Sequence, residues 1–356
     1  MSKALKFEQA KRVSVACVLA VLAIVAATGA TMARRQVASA AGAPAPTAKS
    51  VAAEAPAEVR ALVARLRAES PVERAQAACA LGRMEARAAS AIPVLVELLN
   101  DGAPVAQTCG NEHPFEDEAW QPDYESVRET TVGEAATHAL MAVGRDALEP
   151  LTETLTNRNA TWRARKNAAW ALSHTGDRRA MQRMLVALRD PAWQVRVQAA
   201  YALFQRGSDD RETVEALAVA ATQDEVWQVR HQAAFALGHK GSSEADVPSR
   251  LVRVMLTDKD ARVRREAAGG LWHMAGAREF PSLLEALKDK DARVRETAAE
   301  TLGNRAGNDE VPLLIAALKD TDARIREGAR RALKIVKQRS EGRVTNLRPL
   351  PPGIPE

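Results

Sequence analysis

The chain has 356 residues, of which 46% are hydrophobic, 4% aromatic and 27% charged, with a net charge of +5. Abundant alanine among mixed charges excludes a disordered chain and points to solvated helices. A charge this thinly spread lacks the dense basic stripe of a nucleic-acid binder, so no nucleic-acid partner is expected.

Lys3, Lys6, Lys11 and Arg12 precede an uncharged run from Val13 to Ala33. At 1.5 Å per residue that run spans roughly 31 Å, enough to cross a bilayer core. Residues 1–35 therefore read as a retained transmembrane anchor. The alternative is a signal segment cleaved after Ala38-Ser39-Ala40, which would leave a secreted protein. The heavier basic flank precedes the run, which keeps the N-terminus in the cytoplasm and places the rest on the exported side, periplasmic or extracellular. Residues 36–56, rich in Ala and Pro without apolar periodicity, read as a flexible linker.

From residue 57 a repeat takes over. With the arginine of each VR pair as position zero, copies centre on Arg165, Arg196, Arg230, Arg264, Arg295 and Arg326. Two looser copies precede them, at Arg74 and at Gly133, where glycine replaces the arginine. Small residues at +3 and +4 and leucine at +7 share one helical face with position zero, a buried stripe. Second amphipathic segments lie between these helices, starting at Ala91, Met181, Ser282 and Val311. Each unit is thus a helix pair that cannot bury its own apolar face, and about eight such pairs must stack.

Within one unit, in the interval from Arg74 to Gly133, residues 101–128 lose the helical period and form an insertion. It is acidic, through residues such as Glu112, Glu116 and Asp117, and carries Phe115, Trp120 and Tyr124. Loops of this length are more often functional than plain connections. Cys79 and Cys109 are the only cysteines outside the anchor; export would allow them to bond, and separate thiols are the other reading. An acidic residue stands six places before the arginine at Asp190, Asp224, Asp258, Asp289 and Asp320. It lies in the turn between the helices, where it can cap the second helix and accept from its own or a neighbouring arginine. Residues 339–356, with Pro349, Pro351 and Pro352, read as an extended Pro-rich tail.

The pattern D-x5-R-x2-A-A-x2-L-G, followed by an amphipathic helix, resembles the HEAT repeat of the type named from phycobilisome lyases. The resemblance covers residues 57–338 and implies an all-α solenoid whose second helices line the concave side. Removing the buried stripe leaves +1, +2, +5 and +9 as the free face of each second helix. In the three central units +2 is Asn167, Gln198 and Gln232, and +5 is Trp170, Tyr201 and Phe235. Rings beside carboxamides at a fixed repeat suit an extended peptide, whose main chain pairs with amides whatever its sequence. These six residues are the expected partner-binding strip; packing against the adjacent helix is the bland alternative. Trp162, Trp193 and Trp227 form a second array at −3, placed to cover the inter-helix turns. Histidines at +9, namely His174, His239 and His273, read as helix-end caps.

HEAT-like hydroxylases that act on deoxyhypusine hold iron on His-Glu pairs at +1 and +2. Here those positions read Lys166-Asn167, Val197-Gln198, His231-Gln232, Arg265-Glu266 and Glu296-Thr297, so no such site is expected. No nucleophile and base pair, phosphate loop or metal motif is present in the sequence. The expectation is a non-catalytic, membrane-tethered scaffold without cofactor or metal that binds a protein or extended peptide in the groove. A lyase-like or chaperone-like groove for a small ligand is the competing class.

Overall fold

A computed structural model of the chain describes residues 55–106, 109, 130–175, 177–206, 210–240 and 246–342. The expected anchor, the linker as far as residue 54, residues 110–128 of the insertion with Glu112, Glu116, Asp117, Phe115, Trp120 and Tyr124, and residues 343–356 of the expected tail lie outside that set. Among the described residues, no helix is long and apolar enough to cross a membrane.

Sixteen described α-helices form eight pairs. They are α1 (Ala57–Arg65) with α2 (Pro71–Gly82), α3 (Ile92–Leu98) with α4 (Val132–Val143), and α5 (Leu148–Thr156) with α6 (Trp162–Ser173). Next come α7 (Arg178–Ala187) with α8 (Trp193–Arg206), and α9 (Arg211–Gln223) with α10 (Trp227–Lys240). The last three are α11 (Val247–Thr257) with α12 (Ala261–Gly270), α13 (Phe280–Ala286) with α14 (Ala292–Arg305), and α15 (Val311–Ala317) with α16 (Ala323–Gly342). The even-numbered helices carry the repeated stripe. Its leucines at +7, from Leu81 through Leu203 and Leu237 to Leu333, are all buried.

Second helices stack on one another from α2 to α16, more extensively than the first helices do. Closer spacing on one side bends a stack, which puts the second helices on its inner side. Small residues make that spacing attainable: alanines at +3 and +4, such as Ala199, Ala200, Ala233 and Ala234, have no accessible surface. Glycine at +8 goes further. A Cβ on Gly238 would stand 2.5 Å from the Cα of Gly270 on the next second helix, so the two backbones touch there.

The repeated arginine and aspartate lock these layers together. Arg196 donates through Nε and Nη2 to both carboxylate oxygens of Asp224 in the next unit, at 2.7 and 2.9 Å. Arg165 binds Asp190 in the same way, Arg230 binds Asp258 and Arg264 binds Asp289. The remaining nitrogen turns back on its own unit, so that Arg196 Nη1 donates to the carbonyl of Asp190 at 2.9 Å. Each guanidinium thus joins its own inter-helix turn to the turn of the following unit, and Arg295 makes the backward bonds to Asp289 and Lys290.

The carboxylate does not cap the second helix, contrary to expectation. Its Oδ1 accepts from the backbone N–H two residues on, as in Asp258 with Asp260 at 2.8 Å, and so tightens the turn. The cap comes from the second aspartate of D-K-D: Asp260 caps α12 and Asp291 caps α14. The C-terminal boundary also moves. Helix α16 runs to Gly342, past residue 338, because Arg339 donates to the carbonyls of Gly303 and Ala306 at the end of α14.

Burial alone would raise the Asp289 carboxyl, but the bonds it accepts from Arg264 and from the Asp291 backbone N–H, with the charges of Arg264 and Lys290, together outweigh that and hold the group below its usual range. The bond from Arg324 lowers Asp322 to about 2. A carboxyl depressed in the folded state contributes stability that is complete above its unfolded value of about 4 and lost as pH falls through the folded value. Thermal denaturation followed by far-UV circular dichroism should therefore give a level midpoint from about pH 7 to 5 and a steep fall between about pH 4 and 2. A midpoint unchanged at about pH 2 would contradict the stabilising role given to the bonded carboxylates of Asp289 and Asp322.

Candidate functional site

The expected strip lies along the second-helix layer in α6, α8 and α10, one amide and one ring per unit. It is closed. Asn167, Trp170 and Gln232 are 1%, 2% and 1% exposed, Gln198 and Tyr201 are each 7% exposed, and only Phe235 is half-buried. The expectation of an open docking track is corrected here. The close stacking that alanine and glycine permit draws the +2 amides between helices and sets the +5 rings against neighbouring side chains.

Asn167 and the three rings each have a local reason for their position. Asn167 Nδ2 donates to the Leu99 carbonyl at 2.9 Å, closing the end of α3. That bond explains Gly133: a Cβ there would stand 2.9 Å from both Asn167 Nδ2 and the Leu99 oxygen, so the glycine at position zero makes room for the amide. The Trp170 ring meets His138 of α4 edge-on, with centroids 5.0 Å apart. Tyr201 Oη accepts from Gln205 Nε2 at 2.7 Å. Phe204 meets Phe235 at 4.8 Å and His239 at 5.4 Å, and His239 reaches His273 at 6.4 Å. A ring column thus links α8, α10 and the turn that follows α12.

Two of these rings, His138 and Phe204, were not among the expected residues. His138 stands at +5 of the unit whose arginine is missing, so offset counting from Gly133 would have placed it beside Trp170. Phe204 stands at +8, next to the buried leucine, and nothing in its spacing distinguishes it. The +9 histidines behave as helix-end groups: His174 Nδ1 lies 3.0 Å from the Trp170 carbonyl and His239 Nδ1 lies 2.9 Å from the Phe235 carbonyl.

The amides keep unused hydrogen-bonding capacity. Asn167 Oδ1, Gln198 Nε2, Gln205 Oε1 and Gln232 Nε2 are buried and meet no hydrogen-bond partner among the described residues. An amide atom left in that state costs about 1–3 kcal/mol, so a row of them calls for a reason. The charges of the later units satisfy one another instead. His231 Nε2 lies 3.3 Å from Glu266, and Arg331 bridges Glu296 and Glu300.

At −3, Trp162, Trp193 and Trp227 are the first residues of α6, α8 and α10. Trp162 is 36% exposed with Arg163 at 4.7 Å from its ring centroid, while Arg262 of the next unit stacks on Trp227 at 3.3 Å. A cleft of about 750 Å³ opens between α7 and α9 beside Asp190, Arg196 and Asp224, and no residue of the strip lines it. Among the described residues, no group of three or more His, Cys, Asp and Glu is placed to hold a metal ion.

Cys79 and Cys109 form a disulfide, with Cα atoms 4.8 Å apart. It joins α2 to the start of the insertion. Just before it, a short antiparallel ribbon pairs β1 (Pro104–Val105) with β2 (Thr130–Thr131), in the register Pro104 with Thr131 and Val105 with Thr130. Thr131 and Glu134 then form a capping box on α4. Arg74 reaches Asp101 at 2.8 Å, which extends the ladder to the first unit. The insertion displaces Asp101 from its usual spacing and hides it from offset counting.

Because the rings of the strip are packed, truncating them should weaken the fold. Trp170→Ala and Tyr201→Ala should each lower stability by about 3–5 kcal/mol, and half-buried Phe235→Ala by less. Urea denaturation checks this, and an unchanged midpoint for Trp170→Ala would contradict the packing.

Comparison with known proteins places this geometry. Family models of HEAT repeats match residues 148–238, 181–271 and 247–334, and the phycobilisome-lyase HEAT-like repeat matches residues 73–101. No curated protein matches the chain. Among solved structures, Kap121p bound to Nup53p is 16% identical, with 79% of this chain and 33% of that chain covered and a TM-score of 0.54. Kap95p, in a structure with RanGDP, is 14% identical over 78% of this chain and 38% of that one, with a TM-score of 0.50. The CpcE and CpcF complex of phycocyanin lyase from Nostoc is 18% identical over 83% of this chain and 95% of that one, with a TM-score of 0.35. With its repeats matched from residue 148 to residue 334 and its helix pairs stacked through an arginine and aspartate ladder, the chain belongs to the HEAT-repeat family.

Proposed function

We propose that this chain is a non-catalytic scaffold that holds a protein or extended peptide along its second-helix layer, tethered to a membrane by its N-terminal segment. The observation that carries the reading is the row of buried amides at one position of successive units, each with a hydrogen-bonding atom unspent. A peptide main chain offers alternating N–H and C=O groups that could complete Asn167, Gln198 and Gln232 whatever its side chains. Engagement then requires the strip to open, so the closed arrangement is the resting form of the proposed site. Trp170, Tyr201 and Phe235 hold the amides in register and become the walls of the groove. The solved solenoids with partners, Kap121p bound to Nup53p and to Pho4p, support protein binding as a use of this fold.

The tether and the exported placement rest on the sequence. The run from Val13 to Ala33 is long enough to span a bilayer, and the basic residues before it favour a cytoplasmic N-terminus. The Cys79–Cys109 disulfide agrees with an oxidising compartment.

Crosslinking in intact cell envelopes with mass spectrometry, run on the wild type and on Gln198→Leu/Gln232→Leu, tests both parts. Leucine keeps the volume and removes the unspent amides, so the variant should be at least as stable while capture falls about tenfold, the equivalent of one or two hydrogen bonds. Equal capture by both proteins would remove the amide row from the proposed site. Crosslinks confined to cytoplasmic proteins would contradict export.

A further inference from the structure

The disulfide sits at a place in the repeat that gives it a second meaning. Cys79 occupies +5 of the first unit, the offset held by Trp170, Tyr201 and Phe235 further along. It is 8% exposed, whereas Cys109 is half-buried. Both cysteines line an open cleft of about 450 Å³, together with Val72, Ala75, Val105 and Arg83. Val72 is half exposed and Arg83 is exposed, so the cleft has an apolar wall and a cationic end.

We propose that the Cys79–Cys109 pair is a thiol–disulfide exchange site, entered through this cleft and addressed by a dithiol reductant. A thiolate of the reductant attacks Cys109 Sγ, the more accessible sulfur. The bond between the two cysteines breaks and its electron pair goes to Cys79. Arg83 stands one turn beyond Cys79 on the same helix face, where its charge favours the departing thiolate. The reductant's second thiolate then attacks its own sulfur in the mixed disulfide, releasing Cys109 and closing the reductant's disulfide. Two electrons pass from the dithiol to the protein, and both cysteines take up protons.

The fold is built to accept the reduced pair. The Ala135 carbonyl on α4 lies 3.8 Å from Cys109 Sγ and can receive a thiol hydrogen. The β1–β2 ribbon and the Thr131 capping box still hold the insertion's other stem. Reduction therefore frees Cys109 from α2 without unfolding the stack.

Dithiothreitol is the probe, applied to the full chain without denaturant, with alkylation and mass measurement as the readout. Of the three cysteines, one should be alkylated before reduction and all three after it. The rate should rise in proportion to dithiothreitol, helicity should stay constant, and Arg83→Glu should slow reduction about threefold to tenfold while Arg83→Lys keeps the rate. A rate that levels off at the rate of global unfolding, or resistance to reduction until denaturant is added, would show a purely structural disulfide. An Arg83→Glu rate equal to wild type would overturn the role given to the cleft.

Discussion

A guanidinium that reaches forward to the next unit's carboxylate and back to its own turn fixes the distance between successive helix pairs. The fork geometry of arginine matches both oxygens of an aspartate, so the contact sets orientation as well as spacing. From Arg165 with Asp190 to Arg264 with Asp289 the two-point bond recurs in four successive units, while Arg74 reaches one oxygen of Asp101 and Gly133 leaves the second unit without it. Such pairs are buried, and a buried ion pair guarantees no net stability over apolar packing. Its contribution here is registry: it specifies which turn meets which.

That registry, with alanine at +3 and +4 and glycine at +8, decides the fate of the surface beyond it. Backbones that touch at Gly238 and Gly270 leave little space between second helices, and long side chains at +2 and +5 are enclosed. The closed strip follows from the stripe that made the fold recognisable. The alanine pair persists in the units of Arg264 and Arg295, but on the same face Glu266, Glu296 and Arg331 stand in place of the row of amides and rings, and charges pair across units instead.

The architecture was legible because its signal is periodic. Leucine at +7, the alanine pair and the aspartate six places before the arginine can all be read by counting, and eight helix pairs stand where the count placed them. Exposure was not legible, since +2 and +5 lie on the free face of an isolated helix and become enclosed only through the neighbouring unit. Asp101 escapes the count because the insertion displaces it, whereas His138 stands at +5 from Gly133 and is within reach of counting. The ribbon at residues 104–105 and 130–131 is too short to leave a pattern, whereas the Thr131-x-x-Glu134 capping box was present to be read. Asn167 shows the mixed case: an amide at +2 can be read by counting, and its bond to Leu99, far away in sequence, cannot.

The ladder is the claim on which the others stand, and a double-mutant cycle on Arg230 and Asp258 tests it most directly. Arg230→Met alone should cost about 3 kcal/mol, because it leaves a buried carboxylate unpaired. Arg230→Met with Asp258→Leu should cost clearly less than the sum of the single changes, with a coupling of about 1–3 kcal/mol in urea denaturation. A coupling indistinguishable from zero would mean that the two residues act independently and that something other than the ladder registers the units.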